Sequence, residues 1–392
     1  MSEINPVEKA FSAWKIWSAI LIGISVAGVL LFRNFQQEQY VFVGEGKGTH
    51  TWIDTDRNGE TDQKSEFHTT KTGAYQKQNF STLIKQFNWR TSTWMWLGVA
   101  CLFVVGRDFF YMIRIRLLTN GALTWKRSFW VIMLWEFASA LSPGVVGGAA
   151  VAMFILSREK IALGRSTAIV IITAMLDNLF YVIMIPFVFL FIDRYMLFPQ
   201  STGGSLAVEY VFWIGFAVIL GICVFLFTAV FIRPQLATRF LSLVFRLPFL
   251  KSKREAAMRT GREIEIASAE LKKERFSYWL KVFAATCGSW ISRYLVINAI
   301  LSAFLHLSFL DHILVLAKQL VMWLFMLVSP TPGGSGVAEY AFAELLTSFT
   351  ASGVLLAALA FIWRLISYFP YLFLGAYLLP RWIAQTGRRD TK

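Results

Sequence analysis

Long apolar runs alternate with short polar connections along almost the whole chain. A run of about 20 mostly apolar residues is long enough to cross the hydrocarbon core of a bilayer. Runs of this kind predict six full transmembrane helices, at about 15–32, 92–112, 166–192, 209–232, 278–305 and 354–379. Two further apolar segments, 128–157 and 312–349, are interrupted by proline and glycine. The pattern predicts an all-α polytopic membrane protein in which these two segments form re-entrant helical hairpins.

The spacing of the runs divides the chain into five regions. The first run has no clear small-residue cleavage site after it, so we expect an uncleaved helix rather than a signal peptide. The regions are 1–32, an N-terminal transmembrane helix; 33–91, an extracytoplasmic polar loop; 92–232, a first membrane half; 233–277, a basic cytoplasmic connector; and 278–385, a second membrane half.

Composition agrees with a membrane location. Of the 392 residues, 56% are hydrophobic and 16% are charged, which excludes an ordinary soluble enzyme. The formal net charge is +14, but the basic residues lie in short connections between apolar runs, which argues against nucleic-acid binding. There they set the topology and meet anionic lipid. Their bias places 114–127, 233–277 and both termini in the cytoplasm, and we expect a bacterial inner membrane.

The extracytoplasmic loop contains the sequence DTDRNGETD at 54–62. Its acidic spacing resembles a calcium-binding loop, but the twelfth position of an EF-hand loop would be Ser65 instead of Glu. The Asn58-Gly59 pair fits a β-hairpin turn. We favour the hairpin and predict no metal or other cofactor.

The connector 233–277 is the most basic stretch. In its front half leucine and phenylalanine are interleaved with arginine, which suits a helix that lies on an anionic membrane surface. An ordinary charged connector explains the same pattern. A third interpretation is a docking surface for a membrane enzyme, such as a synthase or glycosyltransferase.

The two broken segments resemble each other. One reads SPGVVGG at 142–148 and the other SPTPGGSG at 329–336. Proline cannot continue a helix without losing a hydrogen bond, and glycine permits close backbone approach. Freed backbone groups are costly in lipid, so such breaks must be buried in protein or face water. Paired breaks in two halves of a chain indicate a transport site near the membrane midplane.

The topology gives the two breaks opposite orientations, because the first segment enters from the cytoplasm and the second from outside. Asp177 follows Pro143 by the same number of positions as Arg364 follows Pro330. An inverted repeat would place an acid in one half and a base at the matching position in the other. We therefore expect Asp177 or Glu339 to neutralise Arg364 or to carry a proton.

Six charged residues fall in apolar surroundings. Each would cost roughly 2.5–3.5 kcal/mol at the centre of a lipid-exposed helix, so they must pair or line a cavity. The alternatives are ion pairs that only fix helix packing, or snorkelling of Lys318 and Arg293 to an interface. The six residues are Glu136, Asp177, Arg293, Lys318, Glu339 and Arg364.

Gly336 and Glu339 are spaced as the N-cap and N3 residue of a helix, so Glu339 is expected to cap it, to serve a site, or both. Free backbone N–H groups near Gly333 and Gly336 would suit a lipid phosphate. The full candidate substrate-binding set is Pro143, Gly144, Gly147, Gly148, Asp177, Arg293, Lys318, Pro330, Pro332, Gly333, Gly334, Gly336, Glu339 and Arg364.

The motif P-x-P-G-G-x-G-x-x-E at 330–339, with the later Arg364, Pro370 and Gly375, resembles the flippase-like membrane domain of lysylphosphatidylglycerol synthases and their stand-alone relatives. The resemblance covers about 90–385. In many relatives the first break carries a Glu and an Arg where this chain has Gly148 and Ala149. The soluble aminoacyl-transferase domain of the synthases has no counterpart here, so we expect a protein without that enzymatic activity.

The resemblance implies that the protein moves an amphiphilic lipid across the bilayer. The candidate cargo is a phospholipid, a polyprenyl-phosphate carrier or another lipid with an anionic headgroup. The sequence has no ATP-binding motif, so a gradient or a partner would supply any driving force. Two alternatives stay open: a membrane scaffold for a lipid-modifying enzyme, and a membrane-embedded enzyme that acts on a lipid headgroup.

Overall fold

The structure is a computed structural model that describes most of the chain. The described residues are 25, 39–55, 64–78, 89–142, 144–198, 205–244, 254–327, 329, 331, 333–350 and 352–390. The predicted helix at 15–32, apart from residue 25, therefore lies outside the described residues. The same holds for three candidate site residues, Pro143, Pro330 and Pro332.

The polar loop 33–91 contains a four-stranded antiparallel sheet in the order β1-β4-β2-β3. The strands are β1 Gln39–Phe42, β2 Gly48–Trp52, β3 Phe67–Gly73 and β4 Tyr75–Gln78. The all-α prediction is thus wrong for this region, because its short polar strands pair through backbone hydrogen bonds and lack an apolar run. Strands β2 and β3 pair as a hairpin requires, although the Asn58-Gly59 turn itself lies outside the described residues. Buried Glu66 accepts hydrogen bonds from the Trp52 indole and from Thr55.

Helices make up most of the rest of the described chain. In chain order they are α1 Thr91–Leu118, α2 Trp125–Leu141, α3 Gly144–Arg158, α4 Leu163–Phe189, α5 Arg194–Leu197, α6 Ser205–Phe227, α7 Gln235–Val244, α8 Arg254–Lys272, α9 Phe276–Phe304, α10 Phe309–Leu327, α11 Val337–Leu346, α12 Gly353–Ser367 and α13 Phe369–Asp390. A π-helical turn, Thr228–Ile232, continues α6.

Five helical stretches in the described part of the chain are long and apolar enough to cross a membrane. They are Thr91–Leu118, Leu163–Phe189, Glu209–Ile232, Phe309–Leu327 and Gly353–Thr386. The protein is therefore a multi-pass integral membrane protein. Helix α9 is 29 residues long but is not among these five stretches. The count of six transmembrane helices with two re-entrant hairpins therefore stays a prediction.

Both interrupted segments consist of two helices that pack against each other across the break. Helices α2 and α3 flank the first break, and α10 and α11 flank the second. At the first, a Cβ on Gly148 would lie 2.2 Å from Ser139 Oγ, so the helices approach closely only because this residue is glycine. At the second, Gly333, Gly334 and Gly336 have φ of 58°, 67° and 88°, a left-handed conformation that favours glycine.

Two predicted boundaries are wrong. Helix α1 continues to Leu118, so Arg114 lies within the helix and not in the cytoplasmic loop. The predicted last span is two helices, α12 and α13, with a break at Tyr368. A continuous helix would need the nitrogen of Pro370 to donate to the Ile366 carbonyl, and proline has no N–H.

The membrane helices bury two apolar clusters. The first joins the second half of α9 with α10, α11 and α12, and the second joins α2, α3 and α13. Helices α1 and α4 run through both: Ala100 and Tyr181 belong to the first cluster, Tyr111 and Ile169 to the second. The two clusters meet along these two helices.

The basic connector is part of the fold. Helix α8 packs on α4, where Glu263 accepts a 3.0 Å hydrogen bond from the Gly164 N–H, and it buries Ile264 and Leu271. The front half forms α7, which packs against α8 and leaves Leu243 exposed. Contact of α7 with a membrane surface stays a prediction.

Candidate functional site

A cavity of about 290 Å³ lies where the two apolar clusters meet. Its walls come from α1, α2, α3, α4, α9, α10, α12, α13 and the glycine-rich break before α11. Of the described residues, four arginines and two carboxylates line it, among aromatic side chains that include Trp290 and Trp323. The lining is therefore rich in positive charge although the surrounding helices are apolar. The charged lining residues are Arg107, Arg114, Arg293, Arg364, Glu136 and Asp177.

Helix α1 supplies three of the polar lining residues from one face. Arg107, Tyr111 and Arg114 follow one another at intervals of four and three residues, which aligns them along a helix. The two guanidinium carbons lie 5.4 and 4.7 Å from the centre of the Tyr111 ring, within cation–π distance. The Tyr111 ring therefore lies between the guanidinium groups of Arg107 and Arg114 along one wall of the cavity.

Asp177 pairs with Arg114, so of the two acids expected to neutralise Arg364 or to carry a proton, Asp177 is not the partner of Arg364. Arg114 Nη1 lies 2.5 Å from Asp177 Oδ1, and the same oxygen accepts a 2.9 Å hydrogen bond from the Trp290 indole. The same guanidinium nitrogen also donates to Thr286 Oγ1 at 3.3 Å. The acid of the first half is thus neutralised by a base from that half, because α1 extends far enough to place Arg114 beside α4.

Arg364 pairs with Glu339. Arg364 Nε lies 2.8 Å from Glu339 Oε1, while Glu339 Oε2 accepts the Gly336 N–H at 2.6 Å. The predicted cap of α11 is confirmed, and the same carboxylate holds a cavity arginine. Arg364 Nη1 donates to the Gly333 carbonyl at 3.0 Å. Its buried Nη2 has no hydrogen-bond partner among the described residues.

Arg107 is the centre of a third cluster of charged and polar side chains. Its guanidinium contacts the Glu136 carboxylate, and its Nε lies 3.5 Å from Asp108 Oδ1. The Tyr371 hydroxyl lies 2.9 and 2.8 Å from the two Asp108 oxygens and donates to this carboxylate. The Arg107 guanidinium carbon also lies 4.7 Å from the centre of the Tyr371 ring. Two carboxylates and a tyrosine from three helices thus hold one arginine.

Arg293 differs from the other three cavity arginines. Its guanidinium carbon lies 5.1 Å from the centre of the Trp290 ring and 4.8 Å from that of Trp323. It has no ion-pair partner in the described part of the chain. Arg293 is thus a half-buried guanidinium beside two indoles, and guanidinium groups form charge-assisted hydrogen bonds with carboxylate or phosphate.

The structure brings together some of the predicted site residues. Asp177, Arg293, Gly333, Gly334 and Arg364 line the cavity. Glu339 and Gly336 lie directly behind Arg364 through the bonds described above. Gly144, Gly147 and Gly148 lie in the first turns of α3, and Gly148 is not among the residues that line the cavity.

Lys318 does not line the cavity. Its Nζ donates to the Leu345 carbonyl at 2.7 Å and to Ser348 Oγ at 2.9 Å. A lysine at the carboxyl end of α11 satisfies carbonyl groups that the helix leaves open. These hydrogen bonds favour the interpretation in which Lys318 stabilises helix packing and does not bind substrate.

The expectation of free backbone N–H groups at 333–336 is wrong for two of the glycines. The Gly334 N–H donates to the Thr331 carbonyl at 3.0 Å, and the Gly336 N–H donates to Glu339. Gly333 presents its carbonyl oxygen to Arg364. Two of the backbone donors that the sequence offered for a phosphate are therefore already used within the fold.

The sequence interpretation missed Arg107, Asp108, Arg114 and Tyr371. The first two lie in the middle of the apolar run GVACLFVVGRDFFYMI, where charges are as unusual as at Glu136. The helical spacing of Arg107 and Arg114 was a further signal. No group of three or more His, Cys, Asp or Glu within the described ranges is arranged to hold a metal ion.

Comparison with known proteins identifies the membrane domain. The model of the family described as lysylphosphatidylglycerol synthase TM region matches residues 74–375. A UPF0104 membrane protein of Archaeoglobus fulgidus is 26% identical over 297 residues, which cover 73% of this chain and 86% of that protein. No solved structure matches the chain. Since the family model covers more than half of the chain, the protein belongs to the lysylphosphatidylglycerol synthase transmembrane-region family.

Proposed function

We propose that this protein moves a lipid with an anionic, phosphate-containing headgroup across the membrane. The observation that carries the proposal is the pair of unsatisfied guanidinium groups in the cavity. Arg293 has no ion-pair partner and Arg364 Nη2 no hydrogen-bond partner among the described residues. Both side chains line the same space between the two apolar clusters.

The free-energy cost of unpaired guanidinium groups in a membrane favours the binding of an anionic ligand. An unpaired arginine costs roughly 2.5–3.5 kcal/mol at the centre of a membrane helix. A phosphate oxygen accepts guanidinium hydrogen bonds in a planar geometry and offsets that cost. Arg107 and Arg114 lie beside carboxylates, although Arg107 Nε and Nη2 make no hydrogen bond to a described residue. We assign the headgroup to Arg293 and to Arg364 Nη2, which have no carboxylate of their own.

The position of the cavity supports transport over simple binding. It lies between two halves that each contain a broken helix, α2 to α3 and α10 to α11. Interrupted helices at a site between two halves are typical of transporters that expose the site alternately to each side. The family relationship agrees with a membrane role that involves lipid.

The test is lipid translocation by the purified protein in proteoliposomes, with fluorescent phosphatidylglycerol and a membrane-impermeant quencher. Arg293→Gln removes the unpaired charge but keeps a polar side chain. We expect at least a tenfold loss of translocation rate, because a hydrogen bond to a charged group contributes roughly 1.5–3 kcal/mol. Lys281→Gln is the matched control, since it removes one positive charge from an exposed position on the same helix, α9.

The outcomes separate the proposal from its alternatives. Equal loss in both variants would show that only the overall charge matters, and would contradict the assigned site. A wild-type protein that moves no lipid alone, but co-purifies with a lipid-modifying enzyme, would favour the scaffold interpretation. A change in the chemical composition of the lipid after incubation would favour a headgroup enzyme.

A further inference from the structure

The cavity arginine Arg107 has two carboxylate neighbours: Glu136, which also lines the cavity, and Asp108, which is not among the lining residues. Arg107 contacts Glu136 and lies 3.5 Å from Asp108. Elsewhere in the cavity each paired arginine has one carboxylate: Asp177 for Arg114 and Glu339 for Arg364. With both carboxylates ionised, the group of Arg107, Asp108 and Glu136 therefore carries one uncompensated negative charge.

The groups that face this carboxylate pair come from four helices. Helix α1 contributes Arg107 and Tyr111, and α13 contributes Tyr371, whose hydroxyl donates to Asp108. Helix α2 contributes Glu136 itself. Helix α9 contributes Arg293, which lines the same cavity as Arg107 and Glu136. Of the four arginines that line the cavity, Arg293 alone has no carboxylate partner among the described residues, so it is the cation that can offset the second carboxylate.

A bound anion would remove that offset. When a phosphate occupies Arg293, the cation no longer compensates the extra carboxylate, and two negative groups lie close together in a medium of low dielectric constant. Ionisation of both carboxylates then becomes unfavourable, as in other sites where two carboxylates share one proton. One proton on the pair restores neutrality.

We propose that Asp108 and Glu136 form a proton-binding site that takes up one proton when a lipid phosphate binds at Arg293 and Arg364. The proton and the lipid would then cross the membrane together. This inference rests on the proposed function, and it replaces Asp177 and Glu339 as the proton carriers, because each of those already has its own arginine.

The step is a simple protonation. A carboxylate oxygen gains a proton from bulk water on the side where the lipid enters, and the same O–H bond breaks when the lipid leaves on the other side. No bond of the lipid changes. A phosphodiester headgroup brings one negative charge and the proton one positive charge, so the transported pair is electrically neutral.

The first experiment uses wild-type proteoliposomes with fluorescent phosphatidylglycerol and an imposed pH gradient. At a ratio of one proton per lipid, a gradient of one pH unit should shift the distribution of the probe between leaflets by about tenfold at steady state. A membrane potential imposed without a pH gradient should leave the distribution unchanged, because the pair is neutral. Translocation that ignores the pH gradient would overturn the proton coupling and leave the proposed function intact.

Variants locate the site. Asp108→Asn fixes one member of the pair in a neutral form, so we expect the tenfold shift in lipid distribution that one pH unit produces in the wild type to be lost. Glu270→Gln is the control, since it neutralises an exposed carboxylate on α8, outside the cavity. A pH response that survives in both Asp108→Asn and Glu136→Gln would overturn the assignment.

A binding measurement covers the case in which the variants do not fold. Short-chain phosphatidylglycerol is added to wild-type protein in weakly buffered detergent solution that contains a pH indicator. We expect uptake of one proton for each lipid bound. Lipid binding without proton uptake would overturn the inference alone, whereas the absence of both binding and translocation would overturn the proposed function as well.

Discussion

Glu339 and Arg364 form a 2.8 Å ion pair that ties the first turn of α11 to the last turn of α12. The same carboxylate caps α11 through the Gly336 N–H. A single side chain therefore orders the second helix break and holds a cavity arginine in place. The arginine in turn binds the Gly333 carbonyl, so the three contacts form one unit.

Glu339→Ala should destabilise the protein strongly. Removal of one partner of a buried ion pair leaves an uncompensated charge and costs about 3–5 kcal/mol. Thermal unfolding of the purified protein in detergent would measure the loss. Glu344→Ala, on the same helix but outside the ion pair, should change the unfolding temperature little. Equal effects of the two substitutions would contradict the role of Glu339.

The ion pair of Asp177 predicts which charge exchange restores the protein. Arg114→Asp combined with Asp177→Arg should recover a large part of the stability that either single change removes, because the two side chains are in direct contact. Asp177→Arg combined with Arg364→Asp should recover nothing. A double-mutant cycle for each pair, measured by unfolding, provides the test. Recovery only in the second pair would mean that the arginine partners are assigned wrongly.

Gly333→Ala should disturb the break before α11. An added Cβ would lie 2.3 Å from the Tyr368 ring, and the residue has a φ of +58°. A non-glycine residue in this conformation costs about 1–3 kcal/mol before any clash is counted. Gly98→Ala in α1 is the control, because nothing lies within 4 Å of its Cβ position. We expect Gly333→Ala to lower the unfolding temperature and Gly98→Ala to leave it unchanged.

Lys318→Met should separate stability from transport. The variant loses the hydrogen bonds to the Leu345 carbonyl and Ser348, so we expect a lower unfolding temperature. Translocation per folded molecule should equal that of the wild type, because Lys318 does not line the cavity. A specific loss of translocation at full stability would place this lysine in the transport path.

The broad features of the fold follow from hydrophobicity. Apolar runs predicted the membrane helices, and proline with glycine predicted the two breaks, because both signals are local. The sheet at 39–78 was missed because its strands are short and polar and gain their stability from backbone pairing. The carboxyl end of α1 was missed because Arg114 and Arg116 looked like loop residues, while Asp177 and Trp125 contact them in the folded protein.

The charged site was harder to predict than the fold. The sequence identified Glu339 and Arg364 as candidates, since each interrupts an apolar segment. It could not identify partners, because the pairing of Arg114 with Asp177 depends on how α1 packs beside α4. The repeat between the two halves suggested only that Asp177 and Arg364 occupy matching positions. Both residues line the cavity, and the repeat itself stays a prediction.

Tyr368, at the joint between α12 and α13, touches both helix breaks. Its hydroxyl donates to the Ala140 carbonyl at 3.1 Å, at the end of α2, and its ring packs on Gly333. The two tips are therefore mechanically linked through one side chain. A movement of one break relative to the other would therefore have to break the hydrogen bond between the Tyr368 hydroxyl and the Ala140 carbonyl or separate the Tyr368 ring from Gly333.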